Sequence, residues 1–106
     1  MAGYVIFNYK IKDRTKIDQL TQLSLPVNSQ YGAEVIVGSP VKALEGHALS
    51  HIVILKFDSF EAAQIFYHSP EHTELSKLRN EITEGWSAIV PGDSETQKLV
   101  DTGYFN

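Results

Sequence analysis

Residues 51–57 read HIVILKF and residues 4–9 read YVIFNY. Both stretches are rich in β-branched and aromatic residues, which suit a pleated strand. A strand covered on one side alternates apolar with polar residues. Val53, Leu55 and Phe57 do alternate with a second set, but that set is Ile52, Ile54 and Lys56, itself mostly apolar. Residues 4–9 repeat the pattern, with Val5, Phe7 and Tyr9 set against Tyr4, Ile6 and Asn8. Each strand therefore has two faces to bury, and this requirement decides what must pack around them.

Between these strands, Asp13 is placed to cap a helix running to about Tyr31, with Ile17, Leu20, Ser24, Val27 and Tyr31 along one stripe. Pro26 is expected to kink or restart that helix, and Gly32 to stop it. Ala33 to Gly38 reads as a second strand, interrupted at Ser39-Pro40 and resumed from Val41 to Glu45, before 46–50 turns the chain into 51–57. Beyond, Ser59 caps a helix through Phe66, and Ser69-Pro70 begins another that carries Leu75, Leu78 and Ile82 and ends at Gly85. Trp86 to Val90 reads as the last strand. After Pro91-Gly92 the residues are polar until Tyr104-Phe105, a pair that either docks on a partner subunit or is disordered.

The order strand, helix, two strands, helix pair, strand predicts an α+β fold. It is the ferredoxin-like βαββαβ arrangement, an antiparallel sheet with helices on one face. Residues 1–92 form the expected domain and 93–106 a C-terminal tail. One such chain has helices for one face only, so a second copy of the same sheet is the simplest cover for the other, and a homodimer is expected. On that uncovered face Asn8, Glu34, Lys56 and Ser87 are expected in phase with Ile6, Ile36, Ile54 and Ile89. Glu34 and Lys56 would either pair across the sheet or sit at its wet rim.

At 106 residues, 42% of them hydrophobic, the chain is long enough for one domain with its own core. The net charge is −4, and the densest cations, Lys10, Lys12, Arg14 and Lys16, read as a solvated edge, so nucleic acid is not an expected partner. Cysteine is absent, which removes disulfides, thiolate catalysis and cysteine metal sites and fits a reducing cytoplasm. No basic, apolar leader opens the sequence, and no apolar run approaches the ~20 residues that cross a bilayer. A cytoplasmic location without membrane contact is expected. No phosphate-cradling glycine loop, nucleophile elbow or dinucleotide fingerprint is present, so no cofactor is expected.

The densest group of functional side chains is FYHSPEH, residues 66–72. Ser69, Pro70 and Glu71 are what a helix start requires: an N-cap hydroxyl, a proline in the first turn and an acid near the positive end of the helix dipole. His68 and His72 stand four apart, but Pro70 breaks the helix between them and no third ligand has the spacing, so a metal site is not expected. His68 lies at a helix C-terminus that favours a cation, and His72 at an N-terminus that favours the neutral imidazole, which could serve as a general base. Arg79, two turns beyond His72, falls at the margin of the buried stripe. It either pairs with Glu45, Glu71 or a partner chain, or anchors a ligand's anionic group. His51 opens a strand beside Val53, where a hydrogen-bonded edge role competes with that of a base. Glu45 is either a turn residue or a pocket acid, with the turn favoured. Phe7, Tyr9 and Trp86 are expected in the core, where they could also wall a pocket.

Three segments, GYVIFNYKIKDRTKIDQL (3–20), YGAEVIVGSPVKALEG (31–46) and FDSFEAAQIFYHSPEHTELSKLRNEI (57–82), resemble the small bacterial family called domain of unknown function 1330. The resemblance rests on Phe66-Tyr67 before Ser69-Pro70-Glu71, Leu44-Glu45-Gly46, Tyr31-Gly32 and the late helical Arg79. It covers roughly residues 3 to 92, and His72 stands where many relatives carry an aromatic residue. It implies a dimeric α+β barrel of the superfamily that also holds cofactor-independent monooxygenases, small isomerases and haem-dependent enzymes, and it implies no particular activity. The expected function is a homodimer that binds a small, partly apolar organic molecule, with an anionic group where Arg79 could hold it. Tyr67 would donate a hydrogen bond, and Tyr9 and Trp86 would line the site. If the protein is catalytic, the expected chemistry is acid–base or cofactor-free oxidation, with His72, His68 or His51 moving protons. The competing reading is a non-catalytic structural or interaction dimer with no ligand site.

Overall fold

A computed structural model of the chain describes residues 2–106, with the side chains of 93–95 excepted; Met1, the first residue of the expected domain, lies outside the described residues. The elements run β1 (Gly3–Ile11), α1 (Ile17–Gln30), β2 (Glu34–Pro40), β3 (His51–Phe57), α2 (Phe60–His68), α3 (Pro70–Ile82), β4 (Thr83–Pro91) and α4 (Asp93–Asp101). The strands form one antiparallel sheet in the order β2-β3-β1-β4. This is the ferredoxin-like α+β fold the element order implied.

The register sorts the apolar residues onto their faces. Val5 lies opposite Leu55 and Ile89, and Phe7 opposite Val53 and Ser87. That face receives α2, and Val5, Phe7, Leu55, Phe57, Ala63 and Phe66 close into the core. The rings of Phe57 and Phe66 stand 5.0 Å apart at their centroids. Each is fully buried, which stabilises the fold by roughly 1.5–3 kcal/mol per side chain. The opposite face carries Tyr4, Ile6, Ile52, Ile54, Trp86, Ala88 and Val90, and no element of the chain crosses it among the described residues.

Local chemistry explains where most elements begin and end. Asp13 caps as expected, but its carboxylate accepts from the Thr15 amide at 2.9 Å to close a 3-10 turn over Arg14–Lys16, and α1 begins only at Ile17. The helix then runs without interruption through Pro26, so of the expected kink or restart the restart does not occur. It ends where Gly32 takes a left-handed φ of 71°, a conformation that glycine adopts without cost. Ser59 accepts from the Ala62 amide at 3.0 Å and Ser69 from the His72 amide at 3.1 Å, so both hydroxyls are N-caps.

Several expectations are corrected. Residues 41–45 are not strand: β2 ends at Pro40, opposite His51, and β3 offers no earlier partner. The chain instead makes an exposed loop, closed by the Val41 amide on the Ser50 carbonyl at 2.9 Å. Gly85 does not stop a helix. α3 ends at Ile82, and Gly85 sits inside β4, where an added Cβ would meet the Asn8 carbonyl oxygen and lie 2.7 Å from the Tyr9 Cα. This close approach fixes the phase of β4, so Ser87 and Ile89 face the helices, whereas Trp86 is 53% exposed on the open face and not in the core. Of the two alternatives for Glu34 and Lys56, register partners that are both exposed, the wet rim fits, since the ion pairs among the described residues are Lys10–Glu84 and Lys77–Glu74. Asn8 is no rim residue either: its amide is buried, donating to the Leu49 and His51 carbonyls and accepting from the Leu49 amide, and it pins the loop to the sheet.

The tail forms α4, and Tyr104, expected either to dock on a partner subunit or to be disordered, instead rests edge-on against Phe60 of its own chain, 5.1 Å between centroids. Among the described residues no helix is long and apolar enough to cross a membrane.

Candidate functional site

The packing of α1 creates the site. Not one of its residues is buried, although Ile17 and Leu20 point inward as the periodicity predicts. The helix is held mainly along α3, where the Tyr31 hydroxyl donates to the Glu71 carboxylate at 2.8 Å. That hydrogen bond lowers the pKa of Glu71 and raises that of Tyr31. Between α1 and the sheet remains a cavity of about 260 Å³. Its wall is made by Ile17, Leu20 and Leu25 of α1, Phe7, Val53 and Leu55 of the sheet, and Leu75 of α3. Its polar groups are few, with His72, Arg79 and the Tyr9 phenol the ionisable ones and Thr21, Ser24, Asn28 and Thr83 beside them.

His72 is 2% exposed, with its ring packed against Phe66 and Tyr67, both at 4.7 Å. Its Nδ1 stands 3.0 Å from the Tyr67 carbonyl oxygen, which can only accept, so Nδ1 carries the proton. Nε2 is then left with a lone pair, and the Arg79 Nη1 donates to it at 3.1 Å. Burial first, and the neighbouring guanidinium second, push the His72 pKa down to about 4. At neutral pH the imidazole is uncharged, with both ring nitrogens engaged.

Arg79 is the cation of the site. Its Nη2 donates to the Ser76 hydroxyl at 3.0 Å, and its guanidinium carbon lies 4.6 Å from the centre of the Phe7 ring. Burial lowers its pKa, yet a guanidinium keeps its proton at any physiological pH. Glu71 is engaged with Tyr31 and Gln30, and Glu45 stands on the exposed loop. Among the described residues no carboxylate pairs with Arg79, so the charge is positioned by neutral groups alone.

On the other side of Arg79 lies a second cavity of about 160 Å³. It shares Phe7, Tyr9, Arg79 and Thr83 with the first and adds Tyr67, Ser76, Asn80, Trp86 and Ser87. There the Tyr67 and Ser87 hydroxyls are 2.8 Å apart. Tyr9 is half-buried between the two spaces, and burial raises the pKa of its phenol.

The structure brings His72, Arg79, Tyr67 and Tyr9 together around these two spaces; Trp86 borders the second, but its phase in β4 puts its side chain on the open face. It leaves the other two candidate histidines outside them. His68 is exposed, edge-on to Tyr67 at 5.6 Å, and His51 stacks on Tyr9 at 5.7 Å with its Nδ1 2.9 Å from the Ser50 hydroxyl. Sequence reasoning missed Ser76, Thr83 and Ser87. Ser76 was legible in principle, being one helical turn before Arg79 on the same face. Ser87 was hidden by the phase of β4.

The solved structures that resemble this one share its fold at low sequence identity. Methylated RPA0582, whose unmethylated form is described as a protein of unknown function from Rhodopseudomonas palustris, is 16% identical, with a TM-score of 0.68 over 86% of this chain and 80% of that one. SnoaB, a cofactor-independent oxygenase from Streptomyces nogalater, is 4% identical, with a TM-score of 0.57 over 86% of this chain and 92% of that one. A dimeric ferredoxin-like protein of unknown function from Thermobifida fusca is 12% identical, with a TM-score of 0.54 over 87% and 92%. No curated protein matches the chain. The sequence itself matches a family over residues 2–93, the span that builds the sheet, α1 to α3 and both cavities, and so the chain belongs to the family described as Domain of unknown function (DUF1330).

Proposed function

We propose that this protein binds a small, largely apolar organic anion in the cavity beneath α1, with Arg79 as the counter-charge. The observation that carries the reading is the state of Arg79: a partly buried guanidinium at an apolar wall, aimed by His72 and Ser76, with no carboxylate among the described residues paired with it. A cation taken out of water costs free energy unless it is paired, and a ligand carboxylate supplies the pair. Of its five N–H donors, His72 and Ser76 take one each, which leaves others for a carboxylate. The size suits a small molecule, since a cavity of roughly 150 Å³ holds a benzene ring and about 260 Å³ leaves room for a short substituent.

Binding rather than proton transfer is the role this geometry favours. The His72 lone pair is already committed to Arg79, and its low pKa makes it a weak base, so His72 is a positioning residue. A catalytic version, acid–base or oxidative as in the oxygenase that shares the fold, would have to recruit Tyr67 or a displaced His72. The test is a thermal-shift titration with benzoate and 3-phenylpropanoate. The wild type should gain several degrees at saturating ligand and Arg79→Ala much less. Equal shifts in both proteins would remove the anion-anchor role.

We also propose that the chain is a homodimer through the open sheet face. That face is mostly apolar, no helix or strand crosses it among the described residues, Trp86 projects from it, and a protein sharing the fold is dimeric. Light scattering at micromolar concentration should return twice the chain mass; a monomer mass would overturn it.

A further inference from the structure

The two cavities meet at Arg79, and their chemistry differs. The first is walled by aliphatic and aromatic side chains, whereas Tyr67, Ser76, Asn80 and Ser87 give the second a hydrogen-bonding lining. An acid that carries nothing but hydrocarbon would fill the first, satisfy Arg79 and leave the second to water. The Tyr67–Ser87 pair argues for a ligand that does more. The two hydroxyls own two hydrogens and spend one on each other at 2.8 Å, which leaves one donor and free lone pairs facing the same space. A group that both donates and accepts matches that pair, and a hydroxyl is such a group. A methylene placed there would strip water from both oxygens and return nothing.

Resting on the anion-binding reading above, we propose that the ligand is a hydroxy acid with an aryl or branched-alkyl substituent. The substituent fills the apolar cavity, the carboxylate meets Arg79, and the hydroxyl enters the polar cavity at Tyr67 and Ser87. Because Arg79 walls both spaces, the hydroxyl sits one or two bonds from the carboxylate, as in a 2-hydroxy or 3-hydroxy acid. The arrangement is chiral, so one enantiomer is preferred.

Isothermal titration of the full chain with each enantiomer of 3-phenyllactate and with 3-phenylpropanoate tests this, since the compounds differ by one hydroxyl. One enantiomer should bind the wild type at least about fivefold tighter than 3-phenylpropanoate, the gain expected of a hydrogen bond in a preformed site. The affinity ratio should fall toward one in Ser87→Ala and in Tyr67→Phe, whatever happens to absolute affinity. Equal binding of the acids by the wild type overturns the hydroxy-acid assignment and leaves the anion site standing. An unchanged ratio in both variants overturns the placement of the hydroxyl. Failure of all the acids to bind overturns the anion site itself.

Discussion

Replacing His72 by phenylalanine should abolish a specific part of the protein's acid sensitivity. In the folded state the His72 pKa is about 4, against 6.5 for a histidine in water. Between these values the unfolded chain takes up a proton that the native imidazole refuses. Stability is therefore complete above pH 6.5, falls as the pH drops through the window, and levels off below about 4. The gap of 2.5 units, at about 1.36 kcal/mol per unit, amounts to roughly 3 kcal/mol. The groups that face the ring are the Arg79 guanidinium, which opposes its protonation, the Tyr67 carbonyl, which favours it, and His68, which opposes it weakly. Against a total stability of about 5–15 kcal/mol for a domain this size, the loss is large, on the order of 10 °C in melting temperature. His72→Phe keeps a ring between Phe66 and Tyr67 but loses both hydrogen bonds, at about 1–3 kcal/mol at pH 7. Urea denaturation of both proteins from pH 7.5 to 4.2 separates the two effects. The wild type should fall to the level of its variant or below it as the pH drops, because a loss of roughly 3 kcal/mol equals or exceeds the lead it holds at pH 7. Glu71, stabilised by Tyr31, titrates in both proteins and cancels. Parallel stability–pH curves would refute the reasoning.

Two further outcomes follow from the packing. Gly85→Ala should cost upwards of about 2 kcal/mol, measured by denaturant midpoint, since its Cβ would be driven into the Asn8–Tyr9 backbone, which cannot yield without breaking the β1–β4 ladder. A midpoint within experimental error of the wild type would show that β4 can slide. Trp86→Glu should leave the monomer fold intact, because the side chain is half exposed and outside the core, yet convert the dimer to monomer in light scattering; an unchanged dimer mass would place the interface elsewhere.

The difference between what was legible in the sequence and what was not has a physical cause at each position. Ser59, Ser69-Pro70 and Gly32 act on their immediate neighbours, so their capping and stopping roles follow from local chemistry. The two-sided strands Tyr4–Tyr9 and His51–Phe57 carried the fold class, since alternation has a period of two wherever the strand lies in the sheet. Arg79 was placed at a buried margin by helical spacing, but its partner was not: Glu45, Glu71 and a second chain were all within the range of sequence reasoning, and His72 holds it instead.

What the residues alone determined is the order of elements from β1 to β4, the starts of α2 and α3, and the need to cover two sheet faces. What required the tertiary structure is everything that depends on phase and distance between elements. The phase of β4 hangs on Gly85 meeting Asn8 and Tyr9, a contact between strands far apart in the chain. The cavity exists because α1 leans on α3 through Tyr31 and Glu71 and stands off from the sheet, a gap that no pattern along α1 records. The neutral, low-pKa state of His72 likewise depends on burial among Phe66, Tyr67 and Arg79, and burial is a property of the assembled fold.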